Sequence, residues 1–424
     1  MKKTVNVNVK HLTRVEGHGN IHIKIRNGKL QEAQWEVIET PRFFEAMLIG
    51  RNWDNAPWIT GRICGICSIG HTLASIRAVE NAFKIVPDEQ TRKLRLLLKH
   101  METLQSHSLH LCFLVLPDLM NAGSVFPLIK SHKDIIFHAA KIKGLANDMC
   151  DCIGGRRMHP TRTVVGGFTK LPAKEELVVF SERLKNIVKD LMVVADLFTG
   201  FTPTDFTRET EFVSLKGEDS YPFIGGDVVS SDGIQMKEQD YKKLTNEYIV
   251  KQSTAKWCRL SRESFAVGAL ARLNNNFVFL HPAAKDIAGR FDLVPVNHNP
   301  FMNNIAQLVE SVHVVMDSIT LIDELLDSRF TECRQEVKPR SGAGVGAVEV
   351  PRGILYHSYE FDDKGKIVKC DCVIPTGQNH ANIQHDLEAL AGEFADRGKD
   401  DKEIELLASM LVRAYDPCIS CSVH

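Results

Sequence analysis

The sequence lacks a charge bias: 52 lysines and arginines face 53 aspartates and glutamates among 424 residues, and no long block of one sign occurs. A nucleic-acid-binding face and attachment to an anionic membrane surface are therefore not indicated. Also lacking is an apolar span of about 18 residues, the length a membrane-crossing helix needs. The start, Thr4-Val5-Asn6-Val7-Asn8-Val9, alternates polar and apolar residues, where an export signal would run continuously apolar. Both absences predict a chain with no direct membrane span and a cytoplasmic location. Internal repeats, low-complexity tracts and linkers are missing too, so a single domain over 1–424 is expected.

What the chain does have is cysteine, eleven in all, and 44% hydrophobic residues to build a sizeable core. Four of the cysteines form two Cys-x-x-Cys pairs, one in Arg62-Ile63-Cys64-Gly65-Ile66-Cys67 with His71 beyond it, the other in Asp416-Pro417-Cys418-Ile419-Ser420-Cys421-Ser422-Val423-His424. Four soft thiolates suit zinc, iron-sulfur or nickel and disfavour magnesium or calcium. A structural zinc site usually staples a short loop, whereas these pairs are separated by nearly the whole chain. Metal binding then has to follow global folding, which is costly for a staple and sensible for an active site. Arg62, His71, Asp416 and His424 add the charge and hydrogen bonding that tune a metal.

Val5, Val7 and Val9, then Ile21, Ile23 and Ile25, alternate as half-buried strands, and Asn27-Gly28 turns into a third run through Trp35 and Val37. They predict an N-terminal antiparallel sheet over about 1–40. Helical spacing predicts helices over 71–86 and 89–116, punctuated by Pro87 and Pro117, and further ones over 131–152, 173–199, 259–274 and 301–335. Together they form a helical core over about 70–335. The polar, Gly- and Asp-rich segment 203–250 reads as a peripheral sheet or insertion, and Ser341-Gly342-Ala343-Gly344-Val345-Gly346 as an interruption. Segments 356–361 and 366–374 flank the hairpin signal Asp362-Asp363-Lys364-Gly365, and two last helices lie within 383–414. The expected class is α+β and predominantly helical: a central long-helix bundle with small antiparallel sheets at the N-terminus and in the C-terminal third, where hairpin and helices occupy about 345–424.

Taken together, Arg62-x-Cys64-Gly65-x-Cys67-x-x-x-His71 and Asp416-Pro417-Cys418-x-x-Cys421-x-x-His424 resemble the large, catalytic subunit of nickel-iron hydrogenases, most nearly the cytoplasmic multimeric branch. The likeness extends to Arg14-Val15-Glu16-Gly17-His18, Phe43-Phe44-Glu45, Val267-Gly268-Ala269-Leu270-Ala271-Arg272, and Val350-Pro351-Arg352-Gly353 with Val373-Ile374-Pro375-Thr376. It implies reversible heterolytic cleavage of hydrogen at a nickel-iron centre. All four cysteines would ligate nickel, Cys64 and Cys418 as terminal ligands, Cys67 and Cys421 also bridging to an iron that carries carbon monoxide and cyanide. Cys418 would accept the first proton and Glu16 take it onward, with Arg352 over the open site. Pro375 and Thr376 would line the diatomic ligands, the hydroxyl donating to a cyanide nitrogen. Glu45, the backbone carbonyl of Cys372 and His424 would share a magnesium or iron ion. His71 is expected to hydrogen-bond a cysteine sulfur, and Arg62, Asp416 and Pro351 to complete the surroundings. One departure stands out. Many members carry His-Asp-His on the helix after the first pair, where this chain has Ser106-His107-Ser108, so the carboxylate accompanying Arg352 is expected to be missing. The family is made with an extension removed just after the final His, so a chain ending at His424 reads as the matured form.

Cys112, Cys150, Cys152, Cys258, Cys333, Cys370 and Cys372 read as buried small residues and not as a second metal site, and His107 and His110 as core or near-site histidines. No four-cysteine iron-sulfur run, Gly-rich dinucleotide fingerprint or haem motif appears, so electrons must leave through another protein. An iron-sulfur small subunit is expected, and the resemblance brings in further electron-transfer subunits bearing flavin or iron-sulfur. Two other readings make distinct predictions. A quinone-binding respiratory-complex subunit of shared ancestry would have lost the cysteine pairs, and a zinc-stapled non-catalytic scaffold would hold one zinc and no nickel.

Overall fold

The structure is a computed structural model that describes residues 4–331 and 334–424. Alternating valines and isoleucines form the expected antiparallel sheet, β1 (Val5–Val9), β2 (Gly19–Arg26) and β3 (Lys29–Val37), with Val7 opposite Ile23 and every other side chain buried. Short helices α1 (Phe44–Leu48) and α2 (Ala56–Thr60) lead to the long pair α3 (Ser68–Phe83) and α4 (Glu89–Leu109). Asp88 caps α4 by accepting the Thr91 N–H. The helical pattern expected over 89–116 continues through a π-helical turn, His110–Val115, into α5 (Leu116–Leu119). Pro117 therefore sits inside the run instead of ending it, because the wider turn tolerates its missing N–H.

Next come α6 (Val125–Ser131), α7 (Lys133–Gly154), the β4 (Thr163–Val164) and β5 (Gly167–Phe168) hairpin, and α8 (Lys174–Thr199). The segment expected to be peripheral instead buries its first strand, β6 (Glu211–Leu215), which pairs with β7 (Asp227–Ser230) and, in parallel, with β9 (Phe265–Ala266), while β8 (Gln235–Lys237) forms the edge before α9 (Tyr241–Thr245). That pairing shortens the helix expected over 259–274 to α10 (Ala269–Asn276), with Gly268 turning the chain at φ 124°. After α11 (Pro282–Arg290), α12 (Met302–Asp327) crosses the core and stops before the expected 335. Contrary to the expectation from sequence, α12 is long and apolar enough to cross a membrane, but most of it is buried inside the fold.

The glycine run expected to interrupt is itself a strand. β10 (Gly342–Val350) pairs with β11 (Gly353–Phe361), which pairs with β12 (Ile367–Val373). α3 lies directly on β10: a Cβ at Gly344 would come 2.1 Å from the Ala78 carbonyl oxygen, and one at Gly346 2.2 Å from that of Ala74. Four helix residues rise about 6 Å and two strand residues about 6.8 Å, so a glycine meets each successive turn. Finally α13 (Pro375–Asp396) starts earlier than the expected 383, with Pro375 in its first turn, and α14 (Asp401–Ala414) leads to the C-terminal segment.

Candidate metal centre

Cys64 and Cys67 lie between α2 and α3, and Cys67 caps the N-terminus of α3, where the helix dipole favours a thiolate. Cys418 and Cys421 follow α14, the latter in the 3-10 turn Ser420–Val423. All four sulfurs are buried and lie within 4.8 Å of one another, the one such convergence of ligand side chains among the described residues. Cys64 Sγ is 3.4 Å from Cys418 Sγ, which is 2.6 Å from Cys421 Sγ. The Ile66 and Cys67 N–H groups donate to Cys64 Sγ at 3.2 and 3.3 Å. Hydrogen bonds from Cys418, Cys421 and Cys67 bring the Cys64 pKa well below that of an ordinary thiol, while its neighbours Cys421, Cys64 and Cys67 push Cys418 well above it and burial does the same to Cys421. The protein thus stabilises one thiolate and leaves the others to a soft cation, which the donor set fits. Arg42 joins the two loops, its Nη2 donating to Ile63 O at 2.8 Å and Ser420 O at 2.6 Å.

Glu16 reaches this cluster from the loop between β1 and β2. Its Oε2 is 3.2 Å from Cys418 Sγ and accepts the Ser420 N–H at 3.1 Å, Oε1 accepts the Ser420 hydroxyl, and its carbonyl accepts the Ile419 N–H at 2.9 Å. From the other side Arg352, between β10 and β11, donates from Nη2 to Asp416 Oδ1 and from Nε to Asp416 O, both at 2.8 Å, and from Nη1 to Ser106 Oγ at 3.1 Å. Burial pulls Arg352 toward the neutral form, but Asp416 and the Cys418, Cys67 and Cys64 sulfurs outweigh it and raise its pKa, so it stays a cation. The carboxylate expected to be missing beside Arg352 is therefore supplied by Asp416. Thr376 Oγ1 accepts the Cys418 N–H at 3.0 Å, which leaves its own proton free to donate.

Residues 42–128 and 236–424 match the family described as Nickel-dependent hydrogenase, and 6–40 the one described as HoxL-like. The chain belongs to the nickel-dependent hydrogenase family. It is 34% identical to the alpha chain of Sulfhydrogenase 1 of Pyrococcus furiosus, covering 99% of this chain and 97% of that one. It is 25% identical to the beta chain of the NAD-reducing hydrogenase HoxS of Cupriavidus necator, over 97% and 93%. Among solved structures, an NAD+-reducing [NiFe]-hydrogenase in the H2-reduced state superimposes with a TM-score of 0.87 at 27% identity, over 99% of both chains. The α+β class is as expected, and hydrogen activation is the chemistry of the family.

Around this hydrogenase centre the other expected residues fall into three groups. Glu45, Cys372 and His424 do converge: Glu45 Oε1 accepts the Cys372 N–H at 2.8 Å and lies 3.5 Å from His424 Nε2. Burial opposes the Glu45 carboxylate, but His424 and the Cys372 amide hold its pKa below the usual range. Pro351 and Pro375 are buried beside Arg352 and Thr376. Two expectations fail. Arg62 is exposed, turned to the surface at the end of α2, and His71 makes no hydrogen bond to a cysteine sulfur, because its Nδ1 is engaged by His357 Nε2 at 3.1 Å and its Nε2 has no protein partner. His107 and His110 are buried, as expected, His107 against Glu310 and His110 against Gln307 and Arg413 O. Cys112, Cys150, Cys258 and Cys372 are buried, Cys152 and Cys370 only partly, and Cys333 lies outside the described residues. Sequence reasoning missed Arg42, Ser420 and His357. Ser420 lay in view between the two C-terminal cysteines, while the other two carry no local signal.

Proposed function

We propose that the chain cleaves hydrogen heterolytically and reversibly at a nickel-iron centre held by Cys64, Cys67, Cys418 and Cys421, with Cys67 and Cys421 shared with an iron bearing carbon monoxide and cyanide. When bound, such a centre supplies a redox-active Lewis acid for dividing the hydrogen molecule. The remaining steps belong to this chain. Cys418 Sγ takes the proton, and Glu16, 3.2 Å away, is the next acceptor. Ser420 holds that carboxylate in line through its N–H and its hydroxyl. Arg352, buried and charged, stabilises negative charge on the sulfur side and is kept from collapsing onto it by Asp416. Thr376, with Pro375 beside it, offers a hydroxyl to a cyanide nitrogen. Glu45, His424 and the Cys372 carbonyl hold a magnesium or iron ion that pins the C-terminal segment; carboxylate and carbonyl oxygens suit magnesium. The single observation that carries this reading is the Glu16 carboxylate in contact with one sulfur of a buried four-sulfur cluster.

Electrons leave through an iron-sulfur small subunit, followed by flavin or iron-sulfur subunits. Support comes from the surface beside the first cysteine loop, where Phe43, Met47, Ile49 and Trp58 are 67%, 45%, 51% and 43% exposed. Exposed apolar residues of this kind, next to the site that must hand over electrons, are what a partner covers. A cytoplasmic setting agrees with ten free cysteines among the described residues.

Metal analysis combined with infrared spectroscopy tests the proposal. Nickel and iron in equal amounts, with bands in the carbonyl and cyanide region, are expected. Zinc alone, or active material without such bands, would overturn it in favour of the stapled scaffold or another centre. The quinone-binding reading is disfavoured by the intact cluster.

A further inference from the structure

His71 poses a problem that the centre itself does not solve. It is 0% exposed, its Nδ1 faces His357, and its Nε2 is buried without a protein partner. A buried imidazole nitrogen left unmatched costs about 1–3 kcal/mol, so its form, bare lone pair or N–H, matters to whatever lies beside it. The answer lies behind it in an unbroken chain. His357 Nδ1 is 2.8 Å from the Tyr359 hydroxyl, which is 2.9 Å from Ser75 Oγ, one helical turn after His71 on α3. All four residues are 0–1% exposed.

Burial holds His71 down at about 4 and His357 well below its usual value, so both rings are neutral and each carries a single N–H. Two neutral imidazoles joined nitrogen to nitrogen have one donor between them, so the whole chain runs one way or the other. Running outward, both histidines are Nδ1–H and His71 presents a bare Nε2 lone pair. Running inward, Ser75 donates to Tyr359, Tyr359 to His357 Nδ1 and His357 Nε2–H to His71 Nδ1, and both histidines are Nε2–H. The outward polarity would suit a metal ligand, yet the converging ligand set contains only the four cysteines. Cys64, the sulfur most easily ionised, is the group whose charge acts most favourably on His71. A lone pair is repelled by electron-rich sulfur and an N–H is attracted.

We propose that Ser75, Tyr359 and His357 form a directional hydrogen-bond chain that fixes His71 as its Nε2–H tautomer and presents that N–H to the cysteine centre. His357 and Tyr359 are positioning residues: they touch neither the sulfurs nor any metal there, and act through His71. The inference deepens the proposed nickel-iron reading, but its first test is independent of metal. In the purified protein, 15N spectra of labelled histidine side chains, assigned by loss of signals in His71→Gln and His357→Gln, should show both residues as Nε2–H, and Tyr359→Phe should lose the pure Nε2–H pattern of His357 and His71. Either residue as Nδ1–H in the unmutated protein, or an unchanged pattern in Tyr359→Phe, overturns the proposal. In metal-loaded protein the diatomic infrared bands should shift in Tyr359→Phe in the same direction as in His71→Gln, and by less. Bands that move in His71→Gln but stay fixed in Tyr359→Phe would mean that His71 acts without the chain, which also overturns it. If the unmutated protein has no such bands, the nickel-iron reading fails and the tautomer spectra still decide.

Discussion

Two buried polar clusters lie on either side of Arg352, and they are built on opposite plans. Around Arg272 every requirement is met from within. Its five N–H groups go to Glu310, Glu349 and the carbonyls of Val350 and Pro351, at 2.6–3.3 Å. Glu310 also takes His107 and the Tyr221 hydroxyl, and Glu349 the Leu215 N–H. Around Cys418 the protein supplies soft anion-forming groups and a guarding arginine, and no cation sits among the sulfurs themselves. One cluster is closed by its own charges, and the other is closed only from outside. Because Arg272 grips the two carbonyls just before Arg352, the closed cluster holds one wall of the open one.

The sharpest way to break that contrast is to remove a sulfur. Cys421→Ala is expected to abolish bound nickel and all hydrogen turnover, measured by metal analysis and gas consumption, while the circular dichroism spectrum persists; retained nickel would mean that three sulfurs suffice. Glu16→Gln should leave both metals bound and reduce turnover by a factor of about 10²–10⁴, the usual worth of a positioned acid–base group. Loss of nickel instead would make Glu16 structural. On the closed side, Arg272→Met leaves two carboxylates buried without their cation and should cost about 3–5 kcal/mol in denaturant unfolding. A smaller loss would show that the carboxylates find other partners or protonate. The smallest effect is expected at the rim, where burial holds His313 down at about 4 beside Tyr221. The unfolded chain takes up that proton below about 6.5 and the folded one does not until about 4. Stability from this group is therefore intact above pH 6.5 and falls as the pH drops toward 4, by about 2 kcal/mol. His313→Gln should flatten the stability profile over that interval.

The two clusters were unequally legible in the sequence. Ligands of the open one come as short motifs, since two cysteines that share a metal must be close along a turn, and the pairing of Cys64 with Cys418 followed from donor chemistry alone. The closed one is scattered over Arg272, Glu310 and Glu349, which sit on α10, α12 and β10, and a buried arginine reads like a surface one until its partners are known. The same limit explains the fold. Periodicity found β1 to β3, α7, α8 and the β11–β12 hairpin because each buries one regular face. It missed β9, whose two residues carry too little pattern, and it read Gly342, Gly344 and Gly346 as a break because glycine in a strand is informative only once the facing helix is seen. Arg62 was placed near the sulfurs by sequence adjacency, but the turn after α2 points it outward.

That glycine seam sets how far from the sulfurs a substitution can still be felt. α3 is a stiff rod with Cys67 at its head and Ala78 resting on Gly344. A single methyl at Gly344 has no side-chain space to enter, only helix backbone, so the rod itself must lift. The geometry of the cysteine pair is thereby hostage to a residue that carries no side chain and touches no ligand.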